Sequence, residues 1–294
     1  MRRSMLFFPG NNPNMLINAN CLGADAAIFD LEDAVSPQEK DAARILVRNT
    51  MRYMDFTGCE KIVRINSIDT DYWKKDLDAL IPEKPDLILL PKTSMPEDIL
   101  VVDEYIKSLE EKNGIESGTV GLIALIETAM GVENSYKIAS CSKRVKALFL
   151  GAEDLTADLQ CKRTKEGREI EYARTRLVVA ARAAGIDVYD TPFTDVNDDE
   201  GIIKDAELAK ALGFTGKASI SPRHVEVINE VFSPTKEEID YAYEVMDAIS
   251  LANKMGKGAI SLHGKMIDAP IVLRAERVIS IAKDMGMDRR DINE

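Results

Sequence analysis

The stretch VGLIALIET, residues 120–128, stays apolar from Val120 to Ile126 and then meets the carboxylate of Glu127. A run that short, with no polar alternation, suits a strand covered on both faces, as in a parallel sheet wrapped by helices. A carboxylate ending such a strand is costly to bury unless it is paired or bound to a metal. The next run downstream, VKALFLGAED at 145–154, repeats the plan and ends on Glu153 and Asp154.

Working outward, six more runs follow the same grammar. They are SMLFFPG (4–10), DAAIFDLED (25–33), KIVRINS (61–67), DLILLPK (86–92), DVYDTPF (187–193) and GKASISP (216–222). Helix-length stretches separate them. In 168–184, Ile170, Ala173, Leu177, Val178, Ala181 and Ala184 form one apolar stripe that stops at Gly185; 200–212 behaves likewise before Gly213. Eight strand–helix alternations with no second strand cluster predict an α/β fold, a closed (β/α)8 TIM barrel over 1–232. A doubly wound open sheet is the alternative. Residues 233–294 read as a C-terminal extension of helix, hairpin and helix. Its first helix starts in SPTKEE (233–238) and runs to about Met255. The hairpin is KGAISLHGKMID (257–268), and the last helix covers 270–285.

Composition narrows the function. The 294 residues carry a net charge of −12, which argues against a nucleic-acid partner, whose phosphates need a basic face. An anionic small molecule stays possible, because one cation in a cleft reverses the local field. No stretch approaches the ~20 apolar residues of a membrane span, and the N-terminal apolar segment is too short for a signal peptide. Cys21, Cys59, Cys141 and Cys161 form no C-x-x-C pair and read as reduced, mostly buried thiols, which suits a cytoplasmic setting. The two histidines, His224 and His263, are too few for a multi-histidine zinc site; they are expected on a helix surface and in the hairpin.

Strand C-termini form the active face of a barrel, and here they are polar: Pro9-Gly10-Asn11, Asp30/Glu32/Asp33, Arg64/Asn66, Lys92, Glu127, Glu153/Asp154, Asp190/Thr191 and Ser219/Ser221. Loop borders account for part of this pattern. Glu127 and Asp154, at neighbouring strand ends, suit Mg2+, a hard ion that keeps several waters. They could instead be salt-bridged to Arg64 or Lys92. Arg64 is either paired at the core edge or reserved for an anionic group of the substrate. Lys92 could form a Schiff base, which would make a metal-free aldolase. Pro9, Gly10 and Asn11, ahead of a helix near Pro13, could offer amides to an anion.

The segments FFPGNNPNML, IFDLEDAVSPQEKDAAR, VRINS, LPKT, LIETAMGV, LGAEDLTADL and GKMIDAPIVLRAERV, in that order from residue 5 to about 280, resemble the citrate lyase β-subunit family within the HpcH/HpaI aldolase/citrate lyase group. The resemblance implies a Mg2+-dependent carbon–carbon lyase that cleaves a citryl thioester, on an acyl carrier or on CoA, to oxaloacetate and an acetyl thioester. It also implies a homotrimer or hexamer, and possible acyl carrier (γ) and transferase (α) subunits as partners.

By that resemblance Glu127 and Asp154 hold the metal, and Arg64 contacts the substrate. Glu32 and Asp33 order water at the metal, and Asp268, in an extension packing on a neighbouring subunit, acts near the reacting carbon. One departure stands out. Many relatives carry a histidine in I-H-P after the eighth strand, where this chain has Ile220-Ser221-Pro222. The change favours citryl over malyl or citramalyl thioesters. A stand-alone malyl-CoA or citramalyl-CoA lyase or thioesterase remains an alternative, as does a non-catalytic barrel subunit that only binds acyl thioesters.

Overall fold

The computed structural model describes residues 1–254 and 259–287. Eight strands, β1 (Ser4–Pro9), β2 (Ala26–Asp30), β3 (Glu60–Arg64), β4 (Leu87–Leu90), β5 (Gly121–Ile126), β6 (Val145–Leu150), β7 (Asp187–Asp190) and β8 (Gly216–Ser219), pair in sequence order, and β8 returns to β1. Every pairing in this ring is parallel, so the sheet is a closed barrel with no open edge. The doubly wound alternative is thereby excluded.

Alternation along each strand sorts the side chains. Met5, Ile28, Ile62, Leu89, Ile123, Leu125, Phe149 and Tyr189 pack with one another in a single buried cluster. Their neighbours Leu6, Phe8, Phe29 and Val63 are equally buried. Residues adjacent along a strand point to opposite faces, so the second set belongs to the layer beneath the helices. At the closing seam, a Cβ on Gly216 would lie 2.0 Å from the carbonyl oxygen of Arg2. Only glycine lets β8 approach the start of β1 this closely.

Ladder pairing stops where the chain turns over the barrel mouth: on a polar residue in β2 (Asp30), β3 (Arg64), β7 (Asp190) and β8 (Ser219), but before the carboxylates that follow β5 and β6. One expectation is corrected as a result. Asp154 does not end β6; it sits in the first turn of the helix Ala152–Asp158. The helix expected over 168–184 begins with a 3₁₀ turn, Arg168–Ile170, and continues as Glu171–Ala184, with Gly185 at φ 72° as its stop. The helix Asp199–Leu212 ends the same way at Gly213.

Two residue expectations are overturned. His224 is not on a helix surface: the 3₁₀ turn Pro222–His224 tucks it in, leaving it 1% exposed. The cysteines are free but not mostly buried, since Cys21 and Cys161 are exposed, Cys141 is half-buried and only Cys59 is buried.

Residues Arg2–Glu230 form one compact unit, and the chain from Val231 onward forms another. In the second, the helix Lys236–Lys254 opens on a reciprocal cap: Glu238 N donates to Thr235 Oγ1 (3.2 Å) and Thr235 N to Glu238 Oε2 (2.9 Å). The strands Ile260–Leu262 and Lys265–Ile267 pair antiparallel, with His263 and Gly264 in the turn, and the helix Ala269–Asp284 follows. Ala242, Val245, Ile267 and Ala275 make its core. Met255 and positions 257–258, within the expected helix end and hairpin, lie outside the described residues. Among the described residues no helix is long and apolar enough to cross a membrane.

Candidate active site

A cavity of about 310 Å³ opens at the C-terminal ends of the barrel strands, lined by Phe7, Pro9, Arg64, Glu127, Phe149 and Asp154 among others. A larger one, about 740 Å³, lies at the strand starts around Arg2, Glu60 and Asp187. The smaller cavity is the candidate site, because it gathers the carboxylates and sits on the face where barrels do chemistry.

Arg64 closes β3 in register with Asp30 at the end of β2. Its Nε and Nη2 donate to the two Asp30 oxygens at 2.7 and 2.5 Å. Asp30 also accepts the amides of Glu32 (2.8 Å) and Ala34 (3.1 Å), so it shapes the loop as well as the guanidinium. The two readings of Arg64 are therefore compatible: one edge is paired, while Nη1 stays 3.3 Å from Glu32 and 3.9 Å from Asp33. The ring of Phe7 lies 5.2 Å from the guanidinium carbon. Burial works against the charge on Arg64, but Asp30, Glu32 and Asp33 outweigh it and raise its pKa. Arg64 is a permanent cation at the cavity wall.

Glu32 is 5% exposed. Lys40, reaching from the helix Lys40–Tyr53, donates from Nζ to the carbonyls of Leu31 (2.7 Å) and Glu32 (2.6 Å) and so pins the loop that carries it. Lys92 Nζ lies 2.9 Å from Glu32 Oε1 and 3.8 Å from Asp33 Oδ1. Neither Glu32 oxygen makes a hydrogen bond of good geometry, although both are buried. Burial pushes its carboxyl above the ordinary range, against the pull of Arg64 and Lys92.

Lys92 has φ 53°, in the left-handed region that non-glycine residues rarely adopt. That conformation turns its amide onto Glu127 Oε1 at 2.5 Å. Burial lowers the ammonium pKa, yet Glu32, Asp33 and Glu127 together raise it above the ordinary value. A Schiff-base lysine needs the opposite shift, so this surrounding disfavours the metal-free aldolase reading.

Glu127 follows β5 directly and is 2% exposed. Burial chiefly, then the charges of Glu32 and Asp154, push its carboxyl up to about 8. Asp154 lines the same cavity, and its charge is among those that push the Glu127 carboxyl up, so two carboxyls meet here. Opposite Glu127 stands Gly151, where a Cβ would come within 2.7 Å of Glu127 Oε2. The glycine leaves the space that the carboxylate uses.

This donor set fits Mg2+ better than it fits a self-contained ion pair. Arg64 and Lys92 pair with Asp30, Glu32 and Asp33, while among the described residues neither Glu127 nor Asp154 forms an ion pair with a cationic side chain. Among those residues no group of three or more acidic, histidine or cysteine donors converges on one point. Two carboxylates with buried, unsatisfied oxygen nearby, and room for water and substrate oxygens, match an ion that keeps much of its hydration.

Other predicted residues fall differently. Pro9 lines the cavity. The Gly10 amide donates to the carbonyl of Asp30 (2.8 Å) and the Asn11 side chain to Glu39 (2.9 Å), so the expected cradle of free amides is not formed at Gly10. Ser221, where many relatives have histidine, accepts from Arg223 N (3.3 Å) and serves its own turn. Asp268 belongs to the second unit and precedes the helix Ala269–Asp284. Reading the sequence missed Lys40, Gly151 and the pairing role of Asp30. The L-G-A-E-D spelling was the available signal for Gly151, a glycine facing a buried carboxylate.

Comparison with known proteins matches the family HpcH/HpaI aldolase/citrate lyase over residues 3–222. The citrate lyase subunit beta of Leuconostoc mesenteroides subsp. cremoris is 44% identical, covering 96% of this chain and 93% of its own. The mitochondrial citramalyl-CoA lyase of Rattus norvegicus is 33% identical, over 96% of this chain and 86% of its own. The structure of protein CitE from Mycobacterium tuberculosis, in complex with magnesium, acetoacetate and coenzyme A, superimposes with a TM-score of 0.77 at 29% identity, covering 96% of this chain and 98% of that one.

Proposed function

The chain belongs to the HpcH/HpaI aldolase/citrate lyase family and is a carbon–carbon lyase, and on that premise we propose that it cleaves a citryl thioester to oxaloacetate and an acetyl thioester with the help of Mg2+. The observation that carries this reading is the meeting of Glu127 and Asp154 in one cavity, with Arg64 on its wall. The greater identity to a citrate lyase subunit beta than to a citramalyl-CoA lyase favours citryl over citramalyl.

Glu127 and Asp154 would hold the metal, and Glu32 and Asp33 would order the water around it. Mg2+, when bound, supplies Lewis-acid polarisation of the substrate's hydroxyl and carboxylate oxygens. The chain's own residues do the rest. As the carbon–carbon bond breaks, the tertiary hydroxyl loses its proton and becomes the ketone of oxaloacetate, and the acetyl thioester leaves as an enolate. Arg64, anchored by Asp30 and with its Nη1 only loosely paired to Glu32 and Asp33, steadies negative charge on a substrate carboxylate or on that enolate oxygen. A carboxylate, Asp268 or Glu32 through a water, accepts the hydroxyl proton and returns one to the enolate carbon. Carrier and transferase subunits are the partners this reading calls for, with the thioester on a carrier protein or on CoA.

The test is Glu127→Gln and Asp154→Asn, each assayed with citryl-, malyl- and citramalyl-CoA. Loss of a metal ligand is expected to lower cleavage at least about a hundredfold while circular dichroism stays unchanged. Full activity of either variant in EDTA would sink the metal reading. Preferential release of glyoxylate or pyruvate over oxaloacetate would move the assignment to a malyl or citramalyl thioester.

A further inference from the structure

The helix Ala152–Asp158, which carries Asp154 in its first turn, begins on Gly151 and therefore has no side-chain cap of its own. A capping residue cannot stand there, because a Cβ at Gly151 would meet Glu127 Oε2 at 2.7 Å. The space for one carboxylate is thus gained at the cost of the cap for the helix that bears the other. One acceptor for the helix start comes instead from the next strand. Thr191, just past β7, accepts the Ala152 amide on its Oγ1 at 3.3 Å, and both residues are 1% exposed.

Thr191 is itself anchored from behind. Its carbonyl accepts from Lys217 Nζ at 2.6 Å. Lys217, opposite Asp190 in the β7–β8 register, lies 2.6 Å from Asp190 Oδ2 and 2.6 Å from Asp205 Oδ2. Arg174 completes the group, 2.8 Å from Asp190 and 2.7 Å from Asp205. Two cations and two anions, all nearly or fully buried, form a neutral cluster in the helix layer; none of them lines the cavity, whereas Thr191, which they hold, does.

From this we propose that Thr191 is a positioning residue for Asp154. Its hydroxyl gives the first amide of this uncapped helix an acceptor, and Lys217 holds the Thr191 backbone through its carbonyl. A helix of two turns whose first amide is unsatisfied frays from that end, and Asp154 lies within the turn that would fray. The inference rests on the reading of Asp154 as a metal-holding carboxylate.

The test compares the full-length chain with Thr191→Val and Thr191→Ser. Mg2+ binding is read by calorimetry on metal-stripped protein, and hydrogen exchange is read over residues 152–156. Thr191→Val keeps the shape and removes the acceptor, so Mg2+ affinity should fall by about tenfold and exchange at 152–156 should quicken. Thr191→Ser, which restores the hydroxyl, should recover most of both. Unchanged exchange in Thr191→Val would overturn the cap, and quicker exchange with unchanged Mg2+ affinity would overturn the positioning of Asp154. A serine variant that behaves like valine would assign the effect to the methyl group and overturn the role of the hydroxyl. Absence of Mg2+ binding by the wild type, with exchange responding as expected, would overturn the metal reading and the positioning of a metal carboxylate with it, while leaving the cap standing.

Discussion

Gly151 is required by contact rather than by backbone conformation. Its Cβ would press on Glu127 Oε2 and on Glu127 Cβ, which is 2.8 Å away, and Glu127 is too enclosed to move aside. Gly151→Ala is therefore expected to weaken Mg2+ binding about tenfold or more with the fold retained, as calorimetry and near-UV circular dichroism would report. Normal Mg2+ affinity in that variant would show that the cavity yields. His224 makes a second prediction at this scale. Its ring is buried without a well-formed hydrogen bond, and burial first, then Arg223 and Lys217, lower its pKa below the ordinary 6.5, against the pull of Asp199. The unfolded chain then takes up the proton more readily than the folded one. Its contribution to stability is full above pH 6.5 and is lost as pH falls through the lower, folded value. His224→Gln should lose less melting temperature than the wild type between about pH 7 and about pH 5. Parallel pH profiles of the two would refute this.

Among the elements, β7 and β8 hold their helices by charge as well as by apolar packing. Lys217→Met would leave Asp190 and Asp205 facing Arg174 alone in the helix layer. Breaking one member of a buried ionic group costs about 3–5 kcal/mol, to be read from urea unfolding. Removing a negative charge as well, in Lys217→Met with Asp205→Asn, should recover part of that loss. Additive losses would mean the cluster is not coupled. This group was only half legible in the sequence. Asp190 and Thr191 stood out as a polar strand end, but nothing in GKASISP announced that Lys217 turns away from the barrel interior to meet a helix. Apolar runs, by contrast, were legible because parallel strands covered on both faces need no polar alternation. Their ends were less so, since pairing stops where the chain turns, and that is why Asp154 belongs to a helix.

For the whole molecule, closure of the ring is the decisive event. Gly216→Ala would drive a methyl group into the backbone at Arg2, and an overpacking cost of about 3 kcal/mol or more is expected, seen as a lowered melting temperature. A stability equal to the wild type would mean that the β8–β1 seam is looser than its contacts imply. Assembly offers a separate test of the proposed role of Asp268. If Asp268 serves the site of a neighbouring copy, mixed oligomers of Glu127→Gln and Asp268→Asn chains should regain activity that neither variant has alone. No recovery after verified subunit exchange would place Asp268 with its own chain or outside the reaction.

The order of apolar runs and the glycine stops between helices determined the barrel, because burial on both faces and alternation with helices leave few other ways to hide that surface. The same sequence marked Glu127 and Arg64 as unusual, since charge at the end of an apolar strand needs a partner. What only the tertiary structure decided is which partner each charge has. Arg64 pairs with Asp30 across a strand register, the amide of Lys92 rather than its ammonium meets Glu127, and the helix start at Ala152 takes its cap from Thr191, far along the chain. Hydrogen bonds and ion pairs act over a few ångströms in space whatever the separation in sequence, so such pairings exist only once the ring has closed.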